Sequence, residues 1–500
     1  MIGLFLFLLI LAVSVFALWH YFKQRAEQRE QLTGEINARA QESYRSTSDF
    51  VAPCPANLEY LPFQRAGIEY AFKRPGSIIA DDMGLGKTIE AIGVINCLPD
   101  TTKVIIVCPL SLKINWRNEL DKWLVNRSLK ITILTSKTTE IGAILAAHNI
   151  FIVHYDILRK FASELLSTRY DICILDEAHF IKNTDAQRSV VAHRLSAASA
   201  KSILLTGTPI LNCSTEVVSL MVAAKLDADP INQAFISKAN ELKSLSFSYP
   251  YEDYMKNILR TTVMIRRKKE DVLPQLPKKT RQIIEIEPDS SLKACMAHEL
   301  AFIEQHPDLQ SLLDSVAEQS PTDLDTKYRK HVSQLSDKSA SFAEISALRH
   351  ATAMRKVPHV CSYITELLAH VDSIVVYAHH KDVVASILSK LGSIAVPYTG
   401  EQNTEERNDA VVRFQSGAVR VFVGSIRAAA FGITLTRSST VVFAELDWTP
   451  AINTQAEDRC HRIGQRECVN VFHVVLNNSL DARIAKIIVS KQSHIDKIME

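Results

Sequence analysis

Five hundred residues exceed what one hydrophobic core of ordinary size supports, so the chain is expected to fold as two or three units. A hydrophobic fraction of 47%, with 22% charged residues, 15 Gly and 17 Pro, excludes a fibrous or largely disordered chain. Lys plus Arg number 57 against 55 for Asp plus Glu, a net charge of +2, so attraction for nucleic acid must come from local basic surfaces.

The chain opens with MIGLFLFLLILAVSVFALWHYF, in which residues 1–22 carry no charged side chain other than His20. As a helix this run would extend on the order of 30 Å, the depth of a bilayer's hydrocarbon. No Lys or Arg precedes it, and Trp19, His20, Tyr21 and Phe22 are bulky where signal cleavage needs small residues. The pattern predicts a single N-terminal transmembrane helix, with a buried helix as the other reading of the same run. Lys23 and Arg25 follow at once, which by the positive-inside tendency leaves a cytoplasmic remainder anchored to the membrane. Residues 23–56 read as a polar helical stalk and linker, broken by Ser-Thr-Ser-Asp at 46–49 and by Pro53 and Pro55.

From residue 57 short apolar runs alternate with helix-like stretches: SIIA, VIIVCP, IFIVH, ICILDE and SILLTG. The same grammar returns after residue 370 with SIVVYAH, VRVFVGS, STVVFAEL and VNVFHVV. Runs without polar residues on either face mark parallel strands buried under helices, so two α/β units are expected, with their chemistry at the carboxyl ends of the strands. Residues 212–262 and 288–360 are helix-like, polar and short of such runs. Nine cysteines form no CxxC pair, and several sit in apolar runs, which suits small buried side chains in a reducing compartment and no zinc site.

ADDMGLGKT lies between the run SIIA and the helix-like TIEAIGVI. Asp82, Met83, Gly84, Leu85 and Gly86 are placed to wrap phosphate oxygens with backbone amides at a helix start. Lys87 would reach the β and γ phosphates of ATP, and Thr88 would hold Mg2+. The first loop position, where this motif ordinarily has Gly, is Asp81. DEAH at 176–179 ends the run YDICIL, so its acids emerge at a strand's carboxyl end. There Asp176 is expected in the magnesium shell, and Glu177 is expected to take a proton from the attacking water.

These residues resemble the superfamily-two helicases, and further segments narrow the resemblance to the Swi/Snf-type ATPases. LLTGTP at 204–209 is similar to their third motif and CPLSLKINWRNEL at 108–120 to their Ia region. LPFQ places Gln64 where the family reads the adenine edge. VMIRRKKEDVLPQLPKKTR at 263–281 resembles the segment that joins the two lobes. YTGEQNTEERNDAVVRFQSG, the stretch 423–450 and QAEDRCHRIGQ at 455–465 follow in the family's order, and the details are most similar to the branch containing annealing helicases. The resemblance implies two RecA-like parallel-sheet lobes, at 57–235 and 361–500. Helical insertions and the inter-lobe segment would fill 236–360. It further implies that Arg459 and Arg462 complete the catalytic set of Lys87, Asp176 and Glu177 from the opposite lobe. Gln455 and Gly432 would join the nucleotide site, and His179, Thr206 and Thr208 would couple it to movement. Ala429 and Ala430 stand where the family mostly has a Gly pair, either a trait of the branch or the mark of a slowed motor.

The expected function is a DNA-dependent ATPase that translocates on duplex or branched DNA without sequence preference, by fork remodelling or strand annealing. The alternative is an ATP-gated, membrane-tethered module that binds DNA or protein with little hydrolysis. Arg266, Arg267, Lys268 and Lys269 open the densest basic run in the chain and are candidates either for DNA contact or for a brace between lobes. Family motors are normally soluble, so a start codon set too far upstream is another reading of residues 1–22.

Overall fold

The computed structural model describes residues 40–181, 186–207, 215–225, 259–305, 339–447, 450–477, 479, 482 and 485. Within them the apolar runs become the strands of two parallel sheets. The first contains β1 (Gly76–Ile79), β2 (Val104–Cys108), β3 (Ile131–Ile133), β4 (Ile150–His154), β5 (Ile172–Asp176), β6 (Lys201–Leu205) and β7 (Met264–Ile265), in the order β3-β4-β2-β5-β6-β1-β7. The second contains β8 (Lys279–Ile286), β9 (Ile374–Ala378), β10 (Ala395–Tyr398), β11 (Val421–Ser425), β12 (Thr440–Phe443) and β13 (Val469–Leu476), in the order β10-β11-β9-β12-β13-β8.

The sequence dictates this because each central strand is apolar on both sides. In β2, Ile105 and Val107 join one core while Val104, Ile106 and Cys108 join another on the opposite face. In β9, Val375 and Tyr377 face one core and Ile374, Val376 and Ala378 face the other. A strand of period two can serve two cores only when helices cover both faces, which the crossovers of a parallel sheet supply. Cys108, Cys173, Cys361 and Cys460 are buried free thiols.

The chain passes from one sheet to the other through residues 266–278. Upstream, β7 pairs with β1 through Ile78–Met264 and Ile79–Ile265. Downstream, β8 pairs with β13 along its whole length, from Lys279–Val469 to Ile286–Leu476.

The expected transmembrane helix is corrected. Among the described residues no helix is long and apolar enough to cross a membrane. Residues 1–22, on which the expectation rested, lie outside the described residues. A run of that length permits a span without requiring one, because a buried helix carries the same pattern.

Candidate active site

Strand β1 ends at the phosphate loop, which turns into the helix Lys87–Asn96. Gly84 and Gly86 adopt φ of 88° and 93°, a left-handed backbone that side chains disfavour. Gln64 props the loop from below. Its Nε2 donates to Leu85 O at 2.9 Å, and its Oε1 accepts from Leu61 N–H at 3.0 Å. The amide expected to read adenine is therefore partly committed to backbone, keeping one N–H and one lone pair. Lys87 Nζ donates to Asp81 O at 2.7 Å. Burial lowers the pKa of this ammonium, against the pull of Glu177, Asp81, Asp176 and Asp82.

Asp81 has a structural explanation. Its carboxylate accepts from Arg267 N–H at 3.0 Å, from Nε at 2.8 Å and from Nη2. The same guanidinium donates to Glu90 at 2.9 Å and to Phe63 O at 2.8 Å. Arg266 donates to Ala80 O at 2.7 Å and pairs with Asp82 at 3.1 Å, while Lys269 N–H donates to the second Asp82 oxygen at 3.0 Å. Lys269 Nζ donates to His461 O at 2.7 Å and pairs with Asp458 at 3.1 Å. Arg266, Arg267 and Lys269 are all buried; Arg266 and Arg267 hold the first lobe's own phosphate loop, and Lys269 reaches across to His461 and Asp458 of the second lobe. Lys268 keeps partial exposure and pairs with Glu270 at 3.5 Å.

The two acids emerge from β5 as its sequence position requires. Trp116 Nε1 donates to Asp176 Oδ2 at 2.7 Å, Tyr155 OH donates to Asp176 O at 2.9 Å, and Glu177 N–H donates to Asp176 Oδ1 at 2.9 Å. Burial, with Glu177 adding to it, pushes the Asp176 carboxyl up to about 7. Glu177 is buried as well, but His179, Lys87 and Arg459 outweigh that burial and hold its pKa below the usual value. The His179 Nδ1 lies 3.3 Å from Glu177 Oε2. Glu177 itself has a φ of 48°, unusual for a non-glycine residue and the kind of strain that collects at working sites. Thr206 is fully buried at the end of β6, and Thr208 lies outside the described residues.

The second lobe supplies the other wall. The helix Pro450–Glu457 and the turns that prolong it carry Gln455, Arg459 and Arg462. Arg459 Nε donates to Gln455 O at 3.0 Å, and Glu177 is among the charges that favour its cation against burial. Arg462 Nη1 donates to Ile433 O at 3.0 Å and Thr434 Oγ1 at 2.9 Å. A Cβ on Gly84 would lie 2.7 Å from the Cβ of Arg462, so this arginine is packed against the phosphate loop. Gly432 approaches Leu112 of the first lobe just as closely, at 2.6 Å for an added Cβ. Ala429 and Ala430 are fully buried in the second lobe's core.

These groups fit a nucleoside triphosphate and magnesium. The loop offers backbone N–H groups at a helix start with Lys87 beside them, and the half-buried Thr88 begins that helix next to Lys87. Asp176, raised by burial, is a carboxylate whose charge a cation would restore. Among the described residues Gln455 Oε1 is buried with no hydrogen-bond partner, as an acceptor awaiting a donor is.

A model of the SNF2-related domain matches residues 13–337, and one of the helicase conserved C-terminal domain matches residues 355–464. The chain belongs to the SNF2-related family. The SNF2-related match begins at residue 13, so part of the expected span falls inside that domain, which adds to its correction. The SWI/SNF-related matrix-associated actin-dependent regulator of chromatin subfamily A-like protein 1 of Xenopus laevis is 30% identical over 84% of this chain and 42% of its own length. The human DNA annealing helicase and endonuclease ZRANB3 is 31% identical over 91% of this chain and 41% of its own. The chain thus spans less than half the length of these relatives. The Sulfolobus solfataricus SWI2/SNF2 ATPase core in complex with double-stranded DNA aligns with a TM-score of 0.41 at 23% identity, covering 90% of this chain and 95% of that one.

In this SNF2-related chain, sequence reasoning overlooked Trp116 and Tyr155. Trp116 lies in the quoted Ia segment, and its indole N–H in an otherwise apolar helix face was the available signal, since a buried donor must find an acceptor.

Proposed function

We propose that the chain hydrolyses ATP in response to DNA and uses lobe closure to translocate along duplex or branched DNA. The observation that carries this reading is the packing of Arg462 on Gly84, with Arg459 opposed to Glu177, because each lobe then supplies groups the other lacks. Lys87, Arg459 and Arg462 supply positive charge around the transferring phosphoryl group. Glu177, held as a carboxylate by His179, Lys87 and Arg459, accepts the proton of the attacking water. Thr88 and Asp176 would hold magnesium, which neutralises charge on the phosphate oxygens when bound. Trp116 holds the Asp176 carboxylate through Oδ2 and Tyr155 holds its main-chain carbonyl, which fixes the acid at the end of β5.

Hydrolysis removes what the arginines grip, so the lobes part and the cycle repeats. Family membership and the annealing helicase among the relatives support forked or unpaired DNA as substrate. The test is ATP turnover with and without duplex, single-stranded and forked DNA. DNA should raise turnover, and Lys87→Ala and Glu177→Gln should abolish it. Turnover indifferent to all three DNAs, or surviving in Glu177→Gln, would defeat the proposal.

A further inference from the structure

A hollow of about 680 Å³ lies between the lobes. Asp82 and Met83 of the phosphate loop form its floor, the linker between the sheets, residues 266–281, forms one wall, and Thr454, Asp458 and His461 form the other. None of Gln64, Lys87, Asp176, Glu177, Arg459 and Arg462 lines it. The two sets of residues alternate along the helix Pro450–Glu457 and the turns after it. Thr454, Asp458 and His461 recur at i, i+4 and i+7, as do Gln455, Arg459 and Arg462 one residue on. Only the first of the two sets lines the hollow.

Six cationic side chains line the hollow: Arg266, Lys268, Lys269, Lys278, Lys279 and Arg281. Asp82, Glu270 and Asp458 line it as well, Asp458 shared between Lys269 at 3.1 Å and Lys279 at 2.8 Å, and Glu457 behind the lining pairs with Arg281 at 2.7 Å and Lys279 at 2.9 Å, so six cations face four carboxylates. Burial dominates the electrostatics of these groups, while Asp458 and Glu457 hold Lys279 above its usual value. Burial and the neighbouring Lys279 pull Lys269 down to about 8, and burial with Lys269 pulls His461 down to about 4. Neutral at physiological pH, His461 donates from Nε2 to Pro277 O at 2.7 Å. Leu273 and Leu276 give the space a partly apolar side, and its volume suits a small ligand.

We propose that this hollow binds a small polyphosphate anion through the linker lysines and Arg281. The excess of cations over carboxylates sets the sign of the ligand, and several separated cations select more than one phosphate. Lys268 and Lys269 follow β7 of the first sheet, whereas Lys279 and Arg281 belong to β8 of the second. An anion held by both groups ties the sheets together and stabilises the closed arrangement in which Arg462 meets Gly84. Asp458 adjoins Arg459, so anything that competes for Lys269 and Lys279 bears on the arginine turn. This regulatory half rests on the proposed function; the binding half does not.

The experiment titrates pyrophosphate into the full-length protein, by calorimetry, with the nucleotide cleft filled by a non-hydrolysable ATP analogue. One further site is expected, weakened about tenfold by Lys278→Ser or Lys268→Ser and retained in Lys278→Arg. Absence of that site, affinity unmoved in the double serine variant, equal affinity for orthophosphate, or displacement by duplex DNA would each overturn the proposal. A chain that binds pyrophosphate in this way without DNA-stimulated turnover would sink the proposed function and leave the site standing.

Discussion

Arg267→Met is the most informative perturbation of the frame that holds the phosphate loop. The guanidinium is 1% exposed and lies between the carboxylates of Asp81 and Glu90, both 0% exposed. Methionine fills much of the volume but strands two acids in a dry space. Removing one partner of a buried pair costs about 3–5 kcal/mol, and with two carboxylates left the upper end is expected. Burial already pushes the Glu90 carboxyl well above its usual value, with Arg267 opposing the rise, so the variant raises it further. A carboxyl whose folded pKa exceeds its unfolded one contributes fully only below the unfolded value, and its contribution is lost as pH rises through the folded one. The deficit should therefore be larger at a pH above the Glu90 titration than at one below it. Trp116 and Trp123 are buried in the first lobe, so urea unfolding followed by their fluorescence reports the right unit. A deficit equal at both pH values, or smaller than about 1 kcal/mol, would refute the claim that Arg267 neutralises this pair.

Arg462→Ala should lower turnover about a hundredfold or more with ATP affinity changed little, since its charge acts on the transition state; equal losses in both would make it a structural residue. In Trp116→Phe the indole donor to Asp176 disappears, and half-saturation by magnesium should rise about tenfold; an unaltered metal dependence would remove Trp116 from the site. Glu457 is held down to about 2 because Lys279 and Arg281 overcome its burial. A depressed carboxyl stabilises above its unfolded value of 4.5 and loses that contribution as pH falls towards about 2, roughly 3 kcal/mol in all. Lys279→Met should consequently unfold at a higher pH in an acid titration, and an unchanged midpoint would contradict this.

What could be read in advance follows from which interactions are local. Strands such as β2, β5, β9 and β12 are buried on both faces, and unbroken apolar runs announce them. Edge strands β7 and β8 gave no such signal. KTRQIIEI is exposed or half-buried along its length, so β8 looks like a basic tract until its partner β13 is known. The phosphate loop and the acids of β5 were legible because their spacing encodes their geometry. The fate of Arg267 was not, because its carboxylate partners lie 177 and 186 residues away, and a charge run reads the same whether solvated or buried. Residues 1–22 were misjudged as a span because hydropathy records a preference for apolar surroundings, not whether lipid or protein provides them.

The passage from β7 to β8 has a mechanical consequence. Each end of residues 266–278 is spliced into a sheet as a parallel edge strand, so tension between the halves would load the β8–β13 ladder lengthwise. Eight residue pairs, Lys279–Val469 to Ile286–Leu476, must then yield together instead of peeling one by one. At the other splice the β1–β7 ladder has two pairs, so there the load would fall on the buried Arg266 and Arg267 that pin the strap between the splices to the phosphate loop.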